Sequence, residues 1–214
     1  MWRRLYALSS PRCCIENLDK RVKTVKLILA SSSPRRQEIL SSLGYKFTVE
    51  AADIDETIDK NMTPQETVMG FAVEKAVRVQ RKHPGDVVVG ADTLVFLDGE
   101  ALGKPEDGKK AAEMLRRLSG RRHEVFTGVA VLSLYGSEVF FARTYVRFYK
   151  LTDEFIARYI ATGEPMDKAG AYGIQRFGTL LVEGIEGDYF NVVGLPAAEL
   201  ARRLDALGIR PEGL

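Results

Sequence analysis

The chain has 214 residues, 45% of them hydrophobic and 28% charged, a balance that suits one large globular domain or two small lobes sharing a cleft. Its formal net charge of +2 argues against a broad nucleic-acid surface, because binding a phosphate backbone needs clustered, uncompensated Lys and Arg. The only cysteines are the neighbours Cys13 and Cys14, so the rest of the chain reads as disulfide-free, and no apolar run approaches the roughly 20 residues that span a bilayer; both features point to a cytoplasmic protein.

Residues 1–24 show scattered charges and no period, and they read as a poorly ordered extension ahead of a domain over 25–210. "VKLILA" then predicts a short buried strand that runs into the loop "SSSP". Pro34 suits the first turn of a helix that buries Ile39, Leu40 and Leu43 and is closed by Gly44. "YKFTVEAA" alternates like a strand. "TPQE", Thr63 to Glu66, is a capping box that opens a helix to about Lys82, with Val68, Phe71, Ala72, Ala76 and Val79 on one stripe.

"GDVVVGADTLVFLDGE" reads as one or two strands broken at Gly90-Ala91-Asp92. Asp107 caps a helix carrying Ala111, Met114, Leu115 and Leu118. A hairpin turning near Gly136 follows, then a helix opened by Thr152. "GEPMDKAGAYGIQRFG" has too many glycines for a helix. "TLLVEGIEG" predicts a strand, and a last helix runs from about Pro196 to Leu207. Strands alternating with helices around a hairpin mean an α/β fold with a mixed sheet.

Five segments offer chemistry. "SSSPRR", Ser31 to Arg36, places free N–H groups of a helix N-terminus beside two arginines, a cradle for phosphates. The alternative is an N-cap followed by two solvated arginines. Asp92, expected at the carboxyl end of an apolar strand, can hold a divalent cation or take a proton from water, or it can simply shape a turn. Glu56, Lys75 and Lys104 singly suit solvated surface charges, but Lys75 lies on or beside the buried stripe of its helix, where its ammonium could meet a buried anion. In Glu164 to Gln175, small residues permit close approach of backbone to a ligand, and Gln175 has both donor and acceptors for a base edge, although a plain long loop is the commoner meaning of such a stretch. Asp188 and Asn191 suit the turn into the last helix better than a ligand. His83 and His123 lack metal-ligand spacing, and no Walker loop or nucleophile elbow is present.

In this order, "LASSSPRRQEIL", "DIDE", "EKA", "VVVGADTLV", "GEALGKP", "LSGRRHEVFTGVAV", "GEPMDKAGAYGIQ" and "GDYFNVVGLP" resemble the Maf family from residue 26 to about 207. The resemblance implies two lobes around a central cleft, as in inosine triphosphate pyrophosphatases. It implies hydrolysis of a nucleoside triphosphate between the α- and β-phosphates with a divalent cation, Mg²⁺ or Mn²⁺. By the same likeness Ser31, Arg35 and Arg36 match the phosphate-binding segment, and Glu56, Lys75 and Lys104 match the family's polar set. Asp92 matches the proton acceptor, while Thr93 and Gln175, with Arg35, match positions that discriminate substrates. Glu56 and Asp92 are the expected metal ligands.

"DKAGAYGIQ" resembles the dTTP/UTP branch more than the 7-methyl-GTP branch, with CTP and modified pyrimidine nucleotides as further candidates. A homodimer that binds neither nucleic acid nor membrane is expected. A nucleotide-binding regulator of septum formation is the competing reading.

Overall fold

The structure is a computed structural model and describes residues 25–59 and 61–213. The extension expected over 1–24, with Cys13 and Cys14, lies outside the described residues. Among the described residues, seven strands build one sheet: β1 (Leu27–Leu29), β2 (Phe47–Val49), β3 (Val87–Leu97), β4 (Glu100–Leu102), β5 (Arg122–Ser133), β6 (Gly136–Phe148) and β7 (Val182–Glu186). Their order is β2-β1-β3-β5-β6-β7, with β4 also pairing with β3. β1 is parallel to β2 and β3, and every other pairing is antiparallel, so the sheet is mixed as expected.

Six α-helices accompany it among the described residues: α1 (Pro34–Ser42), α2 (Pro64–Gln80), α3 (Gly108–Leu118), α4 (Asp153–Ala161), α5 (Tyr189–Val193) and α6 (Ala197–Ala206). Their starts follow local chemistry. Thr63 and Glu66 form the capping box of α2, and the side chains of Asp107 and Thr152 accept from the first turns of α3 and α4. α5 has no counterpart in the sequence reading. Gly44 leaves α1 with φ +81°, a conformation that costs glycine least. Leu43 is exposed rather than buried, because it caps α1 and the chain then turns to seat Tyr45 in the core. The strands expected over "YKFTVEAA" and "TLLVEGIEG" shrink to Phe47–Val49 and Val182–Glu186.

The largest departure from the sequence reading is β3. It runs without a break through Gly90, Ala91 and Asp92, and Asp92 lies inside the strand rather than at its carboxyl end. The glycine there serves a distant contact. A Cβ on Gly90 would lie 2.3 Å from the Ala72 carbonyl oxygen and 2.9 Å from the Ala76 Cβ. A Cβ on Gly128, in the neighbouring β5, would lie 2.3 Å from the Val68 carbonyl oxygen. Both glycines let the backbone of α2 rest directly on the sheet.

The core follows the strand alternation. On one face, Leu29, Val89 and Val129 pack with Ile39 and Leu40 of α1 and Leu200 and Leu204 of α6. Farther along that face, Val95, Val125 and Val146 pack with Leu115 of α3 and Ile156 of α4. These clusters are the centres of the two lobes. α2 covers the opposite face, setting Ala72, Ala76 and Val79 on Ile28, Val88 and Ala130, and Val68 on Leu94 and Phe126.

Candidate active site

One edge of β3 creates the site. β1 pairs with it at Val87–Val89 and β4 at Val95–Leu97, while β5 takes the other edge throughout. On the first edge, between β1 and β4, residues 90–94 have no strand beside them among the described residues. A cleft of about 480 Å³ opens at this gap, within the range of small-molecule sites. It is lined from one lobe by Ser31 to Arg36, and from the other by Gly103, Lys104, Asp167 to Ala169 and Tyr172 to Gln175. Glu56, Lys75, Asp92 and Thr93 line it too. All nine candidate residues therefore meet in one place.

Asp92 and Thr93, consecutive in β3, point to opposite faces and gather different partners. On the α2 face, the buried Lys75 ammonium donates to Asp92 Oδ1 at 2.6 Å and to Glu56 Oε1 at 2.7 Å. Lys75 can reach Asp92 because the glycine contact holds α2 close. Glu56 stands half-exposed on the loop after β2, and its second oxygen is 3.9 Å from the Lys104 Nζ. Burial pushes the Asp92 carboxyl above the usual aspartate range, against the pull of Lys75 and Arg36. Glu56 is also partly desolvated, but Lys75, Lys104 and Arg36 outweigh that and hold its carboxyl low.

On the other face, the buried Arg36 is gripped by neutral oxygens. Its Nε donates to the Gly194 carbonyl at 2.8 Å, one Nη to Ser31 Oγ at 2.9 Å and the other to Thr93 Oγ1 at 3.1 Å. Thr127, opposite Thr93 in the ladder, donates to the Asn191 carbonyl and so accepts from Thr93 at 2.9 Å. The Thr93 hydroxyl is thereby committed to positioning Arg36. Two of the five guanidinium N–H donors remain for a ligand. Burial pulls the Arg36 pKa down, and Asp92 offsets part of that. Beside Arg36, the backbone N–H groups of Arg35 and Arg36 have no acceptor among the described residues, as the first turn of a helix requires.

The opposite wall is the segment Glu164 to Gln175, and it depends on residues not singled out within it, Glu164 and Lys168. Short 3-10 turns cover Glu164–Asp167, Ala169–Ala171 and Arg176–Leu181. The Glu164 carboxylate accepts from the Tyr159 hydroxyl and the Gly178 N–H, both at 3.1 Å. The Lys168 ammonium donates to the Glu164 carbonyl and to Asp167 Oδ1. Asp167 Oδ2 accepts from Arg35 at 2.9 Å, a bridge across the cleft. Burial opposes ionisation of Asp167, but the bonds from Lys168 and Arg35 prevail and its pKa falls to about 2. The small residues of Glu164 to Gln175 marked this wall in the sequence, and the adjacent Asp167 and Lys168 are the signal for the charges that pin it. Ala171 and Arg176, both at positive φ, bracket Tyr172 to Gln175 and mark strained backbone at the ligand wall. Gln175 lies half-buried on the cleft with no side-chain partner among the described residues.

The remaining polar candidates are structural. Asp188 caps α5, and the fully buried Asn191 donates to the Val125 carbonyl and to Thr144. Burial pushes the His123 imidazole down to about 4, and its Nε2 bonds the Tyr172 hydroxyl at 2.7 Å. His83 pairs with Glu50. Among the described residues no three His, Cys, Asp or Glu side chains gather as a metal site.

This cleft sets a helix N-terminus and two arginines against a lysine–carboxylate cluster, an arrangement whose donors suit an anionic ligand. The family profile described as Maf-like protein matches residues 26–207, and the chain belongs to that family. It is similar to a dTTP/UTP pyrophosphatase of Bacillus pumilus (strain SAFR-032), 52% identical over 87% of this chain and 98% of the relative. It is also similar to proteins of that name from Geobacillus sp. (strain WCH70), 51% identical over 86% of this chain and 98% of the relative, and from Moorella thermoacetica, 52% identical over 86% and 96%.

Proposed function

We propose that the protein hydrolyses dTTP and UTP to the nucleoside monophosphate and pyrophosphate. The observation that carries this reading is the meeting of Asp92, Glu56 and Lys75 with Arg36 and the α1 N-terminus at one gap in the sheet. About half of the aligned residues are shared with relatives named for that activity, over nearly the full length of those relatives, which supports the choice of substrate.

The N–H groups opening α1, Arg35, the free donors of Arg36 and the exposed Lys104 would hold the triphosphate. Fixed positive charge already in place costs no reorganisation as charge shifts onto the leaving group. A water would attack the α-phosphorus while the bond to the oxygen bridging to the β-phosphate breaks. Pyrophosphate leaves, and the proton of the water passes to Asp92, whose burial raises its basicity. Gln175 offers a donor and an acceptor to the pyrimidine edge. Thr93 acts through Arg36, which it positions.

A divalent cation, Mg²⁺ or Mn²⁺, belongs to this proposal. Glu56 and Asp92 would hold it, and two carboxylates converging on one point fit a hard cation whose other ligands are waters and substrate phosphates. Its contribution when bound is to neutralise charge on the phosphates. The proposed enzyme is a cytoplasmic homodimer without a nucleic-acid or membrane partner. Among the described residues no helix is long and apolar enough to cross a membrane.

The test is pyrophosphate release from a panel of nucleoside triphosphates with Mg²⁺ or Mn²⁺. Turnover of dTTP and UTP ahead of the rest is expected. Preference for 7-methyl-GTP would overturn the role of Gln175, and nucleotide binding without turnover of any substrate would replace the enzyme with a regulator.

A further inference from the structure

Glu56 and Asp92 converge on one point, and an ammonium group fills it. Lys75 Nζ lies 2.7 Å from one carboxylate and 2.6 Å from the other. The lysine is not a loosely placed surface charge. It is 7% exposed and rises from the middle of α2, a helix seated on Gly90 and Gly128. A cation ligated by both carboxylates would take the place where Nζ now sits, and two cations cannot share it without close like-charge contact.

We propose that Lys75 is a built-in counter-cation that competes with the divalent metal for Glu56 and Asp92. The nucleotide-free protein therefore binds metal weakly and acquires it together with the triphosphate. The proposal rests on the reading of Glu56 and Asp92 as the metal-facing pair. A triphosphate brings negative charge of its own into the cleft, which gives the ammonium a new anionic partner. The flexible four-carbon stem of lysine allows that exchange, where the rigid, three-point grip on Arg36 does not. Metal uptake then depends on the substrate, and the lysine that blocks the site becomes a phosphate contact once the site is filled. Lys104 provides the contrast: its side chain is 62% exposed, and its Nζ is 3.9 Å from Glu56.

The test is Mn²⁺ binding to the full chain without nucleotide, followed by electron paramagnetic resonance. Wild type, Lys75→Met, Lys75→Gln and Lys104→Met are compared, each checked for folding by circular dichroism. Lys75→Gln keeps a hydrogen-bond donor between the carboxylates and so guards against a Lys75→Met chain that does not fold. Both Lys75 variants should bind Mn²⁺ roughly 100-fold more tightly than wild type, the order expected for removing a charge in contact with a partly buried site. Lys104→Met should gain no more than about threefold, because an exposed charge is screened. Mn²⁺ should also raise the melting temperature of Lys75→Met by more than that of wild type, since it replaces the missing cation. Equal Mn²⁺ affinity in wild type and the Lys75 variants would overturn the proposal, as would an equally large gain in Lys104→Met. The substrate panel is read separately. Turnover of dTTP with no effect of Lys75 on Mn²⁺ binding removes only the counter-cation, whereas tighter Mn²⁺ binding without turnover removes only the pyrophosphatase.

Discussion

Lys75 and Arg36 reach the same cleft from opposite faces of β3, and they are held in opposite ways. Lys75 is gripped by two carboxylates, so its charge is neutralised where it stands. Arg36 is gripped by a serine, a threonine and a carbonyl, so it is fixed in place while its charge stays available. Neutral acceptors orient a cation without using up its field, and this suits a group meant to meet a phosphate. Charged acceptors hold a cation in reserve for exchange. Arg35 lies between the two, joined to an Asp167 that it shares with Lys168 and that remains open to solvent.

The comparison breaks most sharply at Asp92. Asp92→Asn should lower kcat by about 10²–10⁴, the usual cost of losing a general base, with the fold retained by circular dichroism. Turnover near wild type would leave the Lys75 face without a catalytic role. Because burial raises the Asp92 pKa, the acid limb of kcat/KM in the wild type should fall above the usual aspartate value of 3.8, with activity lost as the pH drops and the carboxylate takes its proton. A limb at or below that value would show that Asp92 is not the titrating base.

Gly90→Ala should disturb the Lys75 face next. A methyl group 2.3 Å from the Ala72 carbonyl oxygen must lift α2. A loss of about 3 kcal/mol or more in denaturant unfolding is expected, at the upper end for overpacking. Arg36→Lys tests the other face. An ammonium cannot meet Ser31 Oγ, Thr93 Oγ1 and the Gly194 carbonyl in the planar geometry of a guanidinium. It should cost about 1–3 kcal/mol of stability through unsatisfied buried acceptors, and it should lower kcat/KM at least tenfold. Gln175→Ala should be the mildest change, leaving the melting temperature alone because Gln175 has no side-chain partner among the described residues. It should narrow the preference for dTTP and UTP over purine nucleotides by roughly tenfold, the worth of one to two hydrogen bonds. An unchanged ranking of substrates would remove Gln175 from base reading.

How legible each part was follows from the range of the interactions behind it. The capping box at Thr63, the cap at Asp107 and the hairpin at Gly136 are written within a few residues, and all were foreseen. Gly90 was misread because its reason lies in a different element: local rules treat a glycine in a strand as an interruption, whereas here it admits a helix backbone. The site residues were recognisable by their likeness to the Maf family, but their partners were not. Nothing near Arg36 in the chain indicates Gly194, 158 residues away, and nothing near Arg35 indicates Asp167. The small residues and Gln175 drew the reading of Glu164 to Gln175, while nothing local shows that Lys168 and Glu164 pin the wall that carries Gln175.

The unbroken β3 has a mechanical consequence. With β5 and β6 it runs from one lobe into the other in continuous ladders, from Val88–Leu132 to Phe96–Glu124 and on to Arg122–Arg147. The halves of the molecule share a spine of three strands. Fitting around a nucleotide therefore falls to the segments that rim the gap, Ser31 to Arg35, the loop bearing Glu56, and Glu164 to Gln175. Asp92 and Thr93 keep their places in the sheet while the rim adapts.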